Sequence, residues 1–186
     1  MASHARWGWH QLDDRWAARL VADAGVGRGD RVLDVGAGAG AITAPLLRAG
    51  ARVVAVEAHP GRARALAERF GDDIVVVRAD AADLRLPTRP FHVVANPPFA
   101  VTSALLRRLL HRGSHLSTAH LVLQEQAARR WVSSEAPSWN RWSRDFSAEL
   151  GPVVPRSAFR PAPPVPARVL VLRRRHTAPS PRRRRR

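Results

Sequence analysis

The feature that most constrains the fold is an apolar run in the middle of the chain that ends at two consecutive prolines. The run covers residues 91–95, and Asn-Pro-Pro-Phe follows it at residues 96–99. Proline has no backbone N–H and fixes φ near about −65°, so a strand over this run has to stop here and the loop after it is stiff. A stiff loop can hold a carboxamide and an aromatic ring in fixed positions. The pattern therefore predicts a functional site at Asn96 and Phe99.

The two side chains of this loop are suited to a base that carries an amino group. The side-chain amide of Asn96 can accept a hydrogen bond from an exocyclic amine. The ring of Phe99 offers a flat face for a stacked base, an interaction worth about 1–3 kcal/mol per base in single-strand binding proteins. Together they predict a pocket for a base that has left its stack.

Upstream of this loop, short apolar runs alternate with helical patterns, as they do in βαβ units. The first run covers residues 31–35 and leads into a glycine-rich turn and then a helical pattern that ends at Gly50. Glycines let the backbone approach a ligand closely, and the following helix N-terminus supplies free N–H groups. The candidate ligand-binding glycines of this turn are Gly36, Gly38 and Gly40.

Two acidic residues follow the next two predicted strands. Glu57 ends the run over residues 51–57, where a carboxylate is placed to accept hydrogen bonds from both ribose hydroxyls. Asp80 follows the run over residues 73–77 and could accept a hydrogen bond from an adenine amino group, although a turn or helix cap is equally expected there. Parallel strands end at one sheet edge, so a nucleoside site is predicted. S-adenosylmethionine suits it better than a nicotinamide dinucleotide, whose third glycine normally comes one residue later.

The remaining patterns predict the other parts of an α/β domain. Residues 1–30 form an N-terminal capping segment with a helix over residues 13–24, and residues 31–173 form the main domain. Residues 134–144 are turn-rich and polar, and we expect them to be mobile or ordered by a partner. The other predicted elements are helices over residues 60–70, 104–111 (capped by Thr102 or Ser103) and 126–133, and strands over residues 119–123, 146–154 and 167–173.

The charge of the chain points to a polyanionic partner. The formal net charge is +16, and all 31 residues counted as Lys or Arg are arginines. GC-rich codons can explain arginine in place of lysine, but they do not explain the excess over 15 acidic residues, so nucleic acid is the candidate. Residues 174–186 are predicted to be a disordered, arginine-rich tail. This tail can condense on phosphates, and the alternative is a terminus that only improves solubility.

Several classes of site and location find no support in the sequence. The chain has no cysteine, which excludes disulfides, thiolate metal sites and a cysteine nucleophile. No apolar run reaches the roughly 18–20 residues needed to span a bilayer, and the first residues lack the pattern of a signal peptide. We expect a cytoplasmic monomer without a metal site or a membrane contact.

Taken in order, the motifs closely resemble the Erm family of 23S ribosomal RNA adenine-N6 methyltransferases, relatives of the KsgA small-subunit dimethylases. The ordered set, within residues 7–173, is highly specific, although Asn-Pro-Pro-Phe alone also occurs in DNA adenine and protein glutamine methyltransferases. The resemblance implies a Rossmann-like class I S-adenosylmethionine-dependent methyltransferase, with a mostly parallel seven-stranded sheet and helices on both faces. The motifs are Asp34-Val-Gly-Ala-Gly-Ala-Gly40, Val56-Glu57, Ala79-Asp80-Ala81, Asn96-Pro-Pro-Phe99 and Phe159-Arg-Pro-Ala-Pro-Pro-Val165.

The resemblance also implies roles for individual residues. The glycine turn lines the methionine part of S-adenosylmethionine, and the acids after the second and third strands bind its ribose and adenine. The proline loop holds the target adenine, with a later phenylalanine as a second pocket residue. The implied cofactor-binding residues are Gly36, Gly38, Gly40, Glu57, Asp80, Ala81 and Asn96. The implied catalytic residues are Asn96, Pro97 and Phe99, and the implied substrate-binding residues are Phe99, Phe159, Arg107 and Arg108.

The implied function is methyl transfer to N6 of one adenine in 23S ribosomal RNA, with resistance to macrolide, lincosamide and streptogramin B antibiotics. The partner is free RNA or a large-subunit assembly intermediate. This interpretation requires that the proline loop face the glycine turn and leave room for a purine. The alternatives are a DNA adenine-N6 methyltransferase, which would need a target-recognition insertion, and a non-catalytic RNA-binding factor.

The chain departs from the family pattern in two places. Trp9-His10-Gln11-Leu12 stands where the family has Gln-Asn-Phe-Leu, so no cofactor contact is assigned to Gln11. The chain also resembles the short, mycobacterial type of Erm protein, which lacks the C-terminal helical domain. We expect the arginine tail to replace the RNA contacts of that domain.

Overall fold

The computed structural model describes residues 10–175, which are built around one central sheet. The strands are β1 (Gln11–Leu12), β2 (Arg31–Val35), β3 (Arg52–Val56), β4 (Ile74–Val77), β5 (Phe91–Ala95), β6 (Leu116–Gln124), β7 (Phe146–Val154), β8 (Phe159–Arg160) and β9 (Ala167–Arg174). The helices are α1 (Asp14–Ala24), α2 (Thr43–Arg48), α3 (Pro60–Phe70), α4 (Thr102–Leu109), α5 (Glu125–Trp131) and α6 (Trp139–Trp142). Short 3-10 turns cover Gly71–Asp73, Phe99–Val101 and Arg156–Ala158.

The seven strands of the central sheet lie in the order β4-β3-β2-β5-β6-β9-β7. The five strands β2 to β6 run parallel to one another. β9 runs antiparallel to both β6 and β7. β1 and β8 form a separate antiparallel pair, in which Leu12 lies opposite Phe159. The mostly parallel seven-stranded sheet that the resemblance implies is confirmed, as are the predicted strands over residues 146–154 and 167–173.

Apolar residues alternate between the two faces of the sheet, as the period of a strand requires. In β2, Val32 packs into the core on the face covered by α1, α2 and α3, whereas Leu33 packs on the opposite face, which α4 and α5 cover. In β5, Val94 packs on the same face as Val32, and Val93 packs on the same face as Leu33. Helices therefore cover both faces, as predicted.

The ends of α1 follow from its local sequence. The Asp13 side chain accepts a hydrogen bond from the Trp16 N–H at 2.8 Å and so caps the first turn. Gly25 ends the helix in the left-handed region, with a φ of 62°. Ala17 and Leu20, on the face of the helix that packs against the core, are buried. The helix predicted over residues 13–24 is therefore confirmed.

The helix after the proline loop begins differently from the prediction. The 3-10 turn over Phe99–Val101 leads directly into α4, and Val101 is the N-cap residue without a side-chain hydrogen bond. Thr102 is already inside the helix and is buried. The predicted cap at Thr102 or Ser103 is wrong, because the turn after the two prolines starts the helix two residues before the predicted start at Ala104.

The segment over residues 134–144 is turn-rich, as predicted, but it is packed against the protein core. Trp142 is 3% exposed and its indole N–H donates to the Pro137 carbonyl at 3.0 Å. The Trp139 ring meets it edge-on, with 4.9 Å between ring centroids. The expectation that this segment is mobile or ordered by a partner is wrong, because its tryptophans bury enough apolar surface to fold it onto the core.

Both ends of the chain lie partly outside the described residues. Strand β9 ends at Arg174, one residue after the predicted end of the main domain. Residues 1–9 of the predicted capping segment and residues 176–186 of the predicted tail fall outside the described range, so these assignments stay predictions. Within residues 10–175, no helix combines the length and the apolar content needed to cross a membrane.

Candidate active site

The glycine turn and the proline loop touch each other. β2 and β5 are adjacent parallel strands, so the segments after them lie side by side. A Cβ placed on Gly36, whose φ is 76°, would lie 2.8 Å from the Cδ atom of Pro98 and 3.4 Å from the Cα atom of Pro97. Glycine is therefore required here by the protein's own proline loop, in addition to any ligand. The proline loop faces the glycine turn, as the sequence hypothesis requires.

A second glycine of the turn makes room for a helix. A Cβ on Gly40, whose φ is 85°, would lie 2.5 Å from the Cε2 atom of Phe70 in α3. The Arg69 side chain of the same helix donates to the Ala39 carbonyl at 2.6 Å. The turn is thus held in place by α3, which explains part of the glycine pattern without a ligand.

The Glu57 carboxylate is fixed at the end of β3 and is 3% exposed. One oxygen, Oε2, accepts a hydrogen bond from the Gly38 N–H at 2.9 Å. The other, Oε1, accepts from the His59 N–H at 2.8 Å and from Nη2 of Arg62 at 2.9 Å. A carboxylate has about four acceptor positions, so a ribose hydroxyl has one position left or replaces one of these donors. Arg62 was missed by the sequence analysis, which placed no role on the outer side of α3.

Asp34, which the sequence analysis used only as part of a motif, is the most unusual ionisable group near the turn. It is 1% exposed, and its Oδ2 accepts a hydrogen bond from the Thr43 hydroxyl at 2.7 Å. Its Oδ1 has no hydrogen-bond partner within residues 10–175. Burial raises the pKa of Asp34 from 3.8 to about 7, and the nearby negative charge of Glu57 adds to this. The sequence signal that could have singled out Asp34 is its position as an acidic residue inside an apolar strand.

The residues expected at the adenine end of the cofactor form a turn. Oδ1 of Asp80 accepts a hydrogen bond from the Ala82 N–H at 2.8 Å, and the Asp83 N–H donates to the Asp80 carbonyl at 3.0 Å. Asp80 is exposed, whereas Ala81 is buried. Asp80 therefore caps a turn, which is one of the two roles expected for it. The second carboxylate oxygen of Asp80 accepts no hydrogen bond among residues 10–175.

The Asn96 side chain is held by the N-terminal segment. Its Nδ2 donates to the backbone carbonyl of His10 at 2.7 Å, and its Oδ1 accepts no hydrogen bond within residues 10–175. The His10 ring stacks against Phe99, with 5.9 Å between ring centroids and 29° between the planes. A hydrogen bond of 2.8 Å joins Nδ1 of His10 to the Pro161 carbonyl. One segment therefore orients Asn96 and covers Phe99.

The hollow between the two motifs is small. Its lining includes His10, Gln11, Asp34, Gly36 and Asn96, and its volume is about 20 Å³. This is enough for about one water molecule and far too little for a purine. The structure therefore meets one requirement of the sequence hypothesis, that the two motifs face each other. The other requirement, room for a purine, is not met in this conformation, because the N-terminal segment closes the space between the motifs.

None of the four residues expected to bind substrate lines this hollow. Phe99 is covered by the His10 ring. Phe159 is 3% exposed and packs in the core beside α1. Arg108 donates to the Ala82 carbonyl and lies 3.7 Å from a carboxylate oxygen of Asp83. Arg107 is exposed further along α4 and lines a different cavity.

Comparisons with known proteins place this geometry in context. The sequence profile of a family described as ribosomal RNA adenine dimethylase matches residues 4–184. The chain is 38% identical over 178 residues to a protein named ribosomal RNA small subunit methyltransferase A from Anaeromyxobacter dehalogenans, with 86% of the chain and 61% of that protein covered. It is also 38% identical over 151 residues to the mycinamicin-resistance protein MyrB from Micromonospora griseorubida, with 77% and 47% covered.

A solved structure shows the same architecture. The crystal structure of the 23S rRNA methyltransferase ErmE superposes with a TM-score of 0.77 at 31% identity, and the match covers 89% of this chain and 70% of that one. The chain spans roughly half to three fifths of the length of the curated relatives that it matches. A Rossmann-like methyltransferase fold is therefore shown for residues 10–175.

Proposed function

The chain belongs to the ribosomal RNA adenine dimethylase family, and we propose that it transfers a methyl group from S-adenosylmethionine to N6 of a specific adenine in 23S ribosomal RNA. The observation that carries this proposal is the contact between Gly36 and the prolines after Asn96. It sets the end of β2, where the family's cofactor motif lies, against the end of β5, where the amide and ring for a base lie.

The residues of the turn suit S-adenosylmethionine. The buried Oδ1 of Asp34 lacks a donor, and a buried carboxylate without a partner is costly unless a donor reaches it. The amino group of a methionine moiety is such a donor. Glu57, held by three hydrogen bonds, is oriented toward the same edge for ribose hydroxyls. When bound, the cofactor supplies an electrophilic methyl group on a sulfonium.

The proline loop supplies the contacts for the amino group that is methylated. The lone pair of an adenine N6 is delocalised into the ring, so the nitrogen is a poor nucleophile. Because Nδ2 of Asn96 is engaged by His10, its Oδ1 is left to accept a hydrogen bond from one N6–H, and the Pro97 carbonyl can accept a hydrogen bond from the other. These two acceptors localise the lone pair and aim it, so positioning and electrostatics provide the rate gain without a dedicated base. One N6 proton leaves to water after the methyl group is transferred.

The stack between His10 and Phe99 sets a condition for this reaction. A purine needs the face of Phe99 or the space beside it, and the hollow holds only about 20 Å³. The N-terminal segment therefore has to move away from the proline loop before an adenine enters. An extruded base is easiest to supply from an unpaired or weakly paired adenine.

The large-subunit target is proposed in preference to the small-subunit one. The motif order resembles the Erm family, the superposed structure is named a 23S rRNA methyltransferase, and MyrB is named a resistance protein. Resistance to macrolide, lincosamide and streptogramin B antibiotics is part of the proposal. We place the enzyme in the cytoplasm as a monomer, with free 23S rRNA or a large-subunit assembly intermediate as substrate. The similarity to a small-subunit methyltransferase makes 16S rRNA the second candidate.

One experiment separates these candidates. The purified protein is incubated with labelled S-adenosylmethionine and with 23S transcript, 16S transcript or duplex DNA, and the labelled adenines are mapped. Label at one 23S site, together with resistance in cells that express the protein, supports the proposal. Label confined to 16S rRNA would show that the substrate is the small-subunit RNA. Label confined to DNA would show that the protein is a DNA adenine methyltransferase. RNA binding without cofactor affinity in calorimetry would leave a non-catalytic RNA-binding factor.

A further inference from the structure

A large cavity lies away from the candidate active site. Its volume is about 650 Å³. Its walls include the end of α4, where the chain leads into the first residue of β6, and Asp145, which precedes the first residue of β7. The glycine turn follows the last residue of β2, so the two features lie at opposite edges of the parallel sheet. This cavity, called here the basic cavity, is lined by Arg107, Leu110, His111, Arg112, Trp131, Pro137, Ser138, Arg141, Trp142, Arg144 and Asp145.

The basic cavity carries positive charge that the protein does not neutralise. Its four arginines, Arg107, Arg112, Arg141 and Arg144, are exposed. Between residues 10 and 175, none of their side chains forms an ion pair or a side-chain hydrogen bond. Asp145 is the one acidic residue in the lining. Like charges brought together without partners repel each other, so an anionic ligand would lower the energy of this arrangement.

Two of these arginines belong to a segment that is packed onto the core by buried tryptophans. Trp131 and Trp142 are 2% and 3% exposed, with 6.1 Å between their ring centroids. Ser138, in the lining, is the one non-glycine residue with a positive φ among residues 10–175, at 59°. Such a conformation is costly for serine and is retained where the surrounding structure or a function requires it. The arginines that follow, at 141 and 144, therefore extend from a turn that is packed on the protein core.

We propose that the basic cavity binds phosphate groups of RNA at a site separate from the methyl-transfer site. Guanidinium groups bind phosphate oxygens in a bidentate manner, and their planar geometry reduces the entropy lost per hydrogen bond formed. The volume lies within the range of nucleotide-sized ligand sites. The tryptophan faces are buried, so recognition depends on charge and not on base stacking. The inference rests on the proposed function in that RNA is the expected polyanion.

The test compares two pairs of substitutions, each of which removes two positive charges. R141Q/R144Q removes two charges from the basic cavity, and R48Q/R52Q removes two from exposed positions on α2 and β3. The probe is a labelled oligouridine of about 16 nucleotides, which has no adenine for the active site. Its Kd is measured by anisotropy from about 50 mM to about 200 mM KCl. Loss of two phosphate contacts should lower the slope of log K against log salt by about 1.4 for a single strand.

The expected result is a lower slope and weaker binding for R141Q/R144Q, with a much smaller change for R48Q/R52Q. R107Q/R112Q should reproduce the loss, which guards against a local folding defect in the tryptophan-containing turn. Equal slopes for the cavity and control pairs would overturn the proposal. Uridine monophosphate is tested in parallel. Arginine-dependent binding of the nucleotide with unchanged oligouridine binding would assign the cavity to free nucleotides and would also overturn it.

Failure of this inference is distinguishable from failure of the proposed function. Calorimetry with S-adenosylmethionine and the methyl-transfer assay report on the hollow at the glycine turn. Cofactor affinity should be the same in R141Q/R144Q and in the unsubstituted chain, because the two sites lie at opposite sheet edges. If the protein binds oligouridine through the basic cavity but transfers no methyl group, this inference is supported and the proposed function is contradicted.

Discussion

The side-chain amide of Asn96 donates a hydrogen bond to the backbone carbonyl of His10, at 2.7 Å. This contact joins residues 86 positions apart in the chain and fixes which end of the carboxamide faces inward. The nitrogen is engaged by the backbone, so the oxygen is presented as an acceptor. The N-terminal segment is therefore part of the candidate active site, although its own sequence departs from the family motif at residues 9–11.

Replacement of Asn96 by alanine should separate binding from chemistry. Asn96→Ala removes the acceptor for the N6 amino group, so we expect methyl transfer to fall by about 100-fold or more. Affinity for S-adenosylmethionine should stay nearly the same, because Asp34 and Glu57 remain. Labelled-methyl transfer and calorimetry measure the two effects. Asn140→Ala, at the other asparagine of the chain, which is exposed on α6, is the matched control; turnover retained by Asn96→Ala would remove this residue from its role.

Replacement of His10 by alanine should open the site. The substitution removes the ring that stacks on Phe99 but keeps the backbone carbonyl that holds Asn96. An aromatic pair is worth about 0.5–1.5 kcal/mol, so binding of an adenine-containing oligonucleotide should improve roughly 2- to 10-fold. Oligouridine serves as the control and should not gain as much. Weaker binding of the adenine-containing oligonucleotide would mean that His10 contacts the base and does not cover its pocket.

Replacement of Asp34 by asparagine should change how stability depends on pH. Burial raises the pKa of Asp34 from 3.8 to about 7, so between these values the folded state keeps a proton that the unfolded state has lost. This group therefore reduces stability as the pH rises through that window, by up to about 1.4 kcal/mol per pH unit. Relative to the original chain, Asp34→Asn should gain free energy of unfolding from about pH 5 to about pH 8.

Urea denaturation at the two pH values measures this gain. Asp14→Asn, at an exposed acid in the first turn of α1, is the control and should show no comparable change. An equal response of the two variants would show that the Asp34 carboxyl is not protonated in the folded protein at neutral pH.

Replacement of His120 should have the opposite effect on the pH profile. His120 is 2% exposed, and burial lowers its pKa from 6.5 to about 4, with the charges of Arg173 and His92 lowering it further and Asp23 opposing them. Neutral His120 contributes stability that is present above pH 6.5 and is lost as the pH falls toward 4. His120→Leu should therefore lose less stability than the original chain on acidification.

The comparison with an exposed histidine tests this expectation. His115→Leu replaces a surface residue and should leave the acid limb of the stability curve unchanged. Because Asp34 and His120 act with opposite signs over overlapping pH ranges, their contributions largely cancel in the original chain. A steep acid loss that survives in His120→Leu would assign acid sensitivity to other groups.

Removal of the C-terminal arginines should weaken RNA binding without unfolding the domain. Arg174 donates to the Leu116 and Ser114 carbonyls, and Arg175 donates to the Ser143 and Phe146 carbonyls. The truncation should therefore leave both and remove residues 176–186. We expect a lower affinity for ribosomal RNA and a flatter salt dependence, with the same melting temperature. An unchanged salt slope would make the tail irrelevant to RNA binding.

The sequence predicted most of the fold because its signals are local. The strands over 31–35, 91–95 and 146–154 and the helix over 60–70 are bounded by glycine, proline or polar caps, and they are found at those positions. The start of α4 was misplaced because a 3-10 turn depends on how the loop packs. The fold of residues 134–144 was misjudged because burial of Trp142 depends on distant residues.

The parts of the site that the sequence could not reveal depend on contacts between distant segments. His10 reaches Phe99 only because β1 pairs with β8 near the other end of the chain. The free oxygen of Asp34 depends on which neighbours fill the space around a buried strand. None of these has a fixed spacing in sequence that a pattern could detect.

The pairing of β1 with β8 is only two residues long. Such a short ladder can melt and re-form while the seven-stranded sheet stays intact, so the amide hydrogens of Gln11 and Leu12 should exchange with solvent far sooner than those of β5. In the proposed enzyme, the frequency of this local opening would set an upper limit on turnover, whatever the speed of the chemical step.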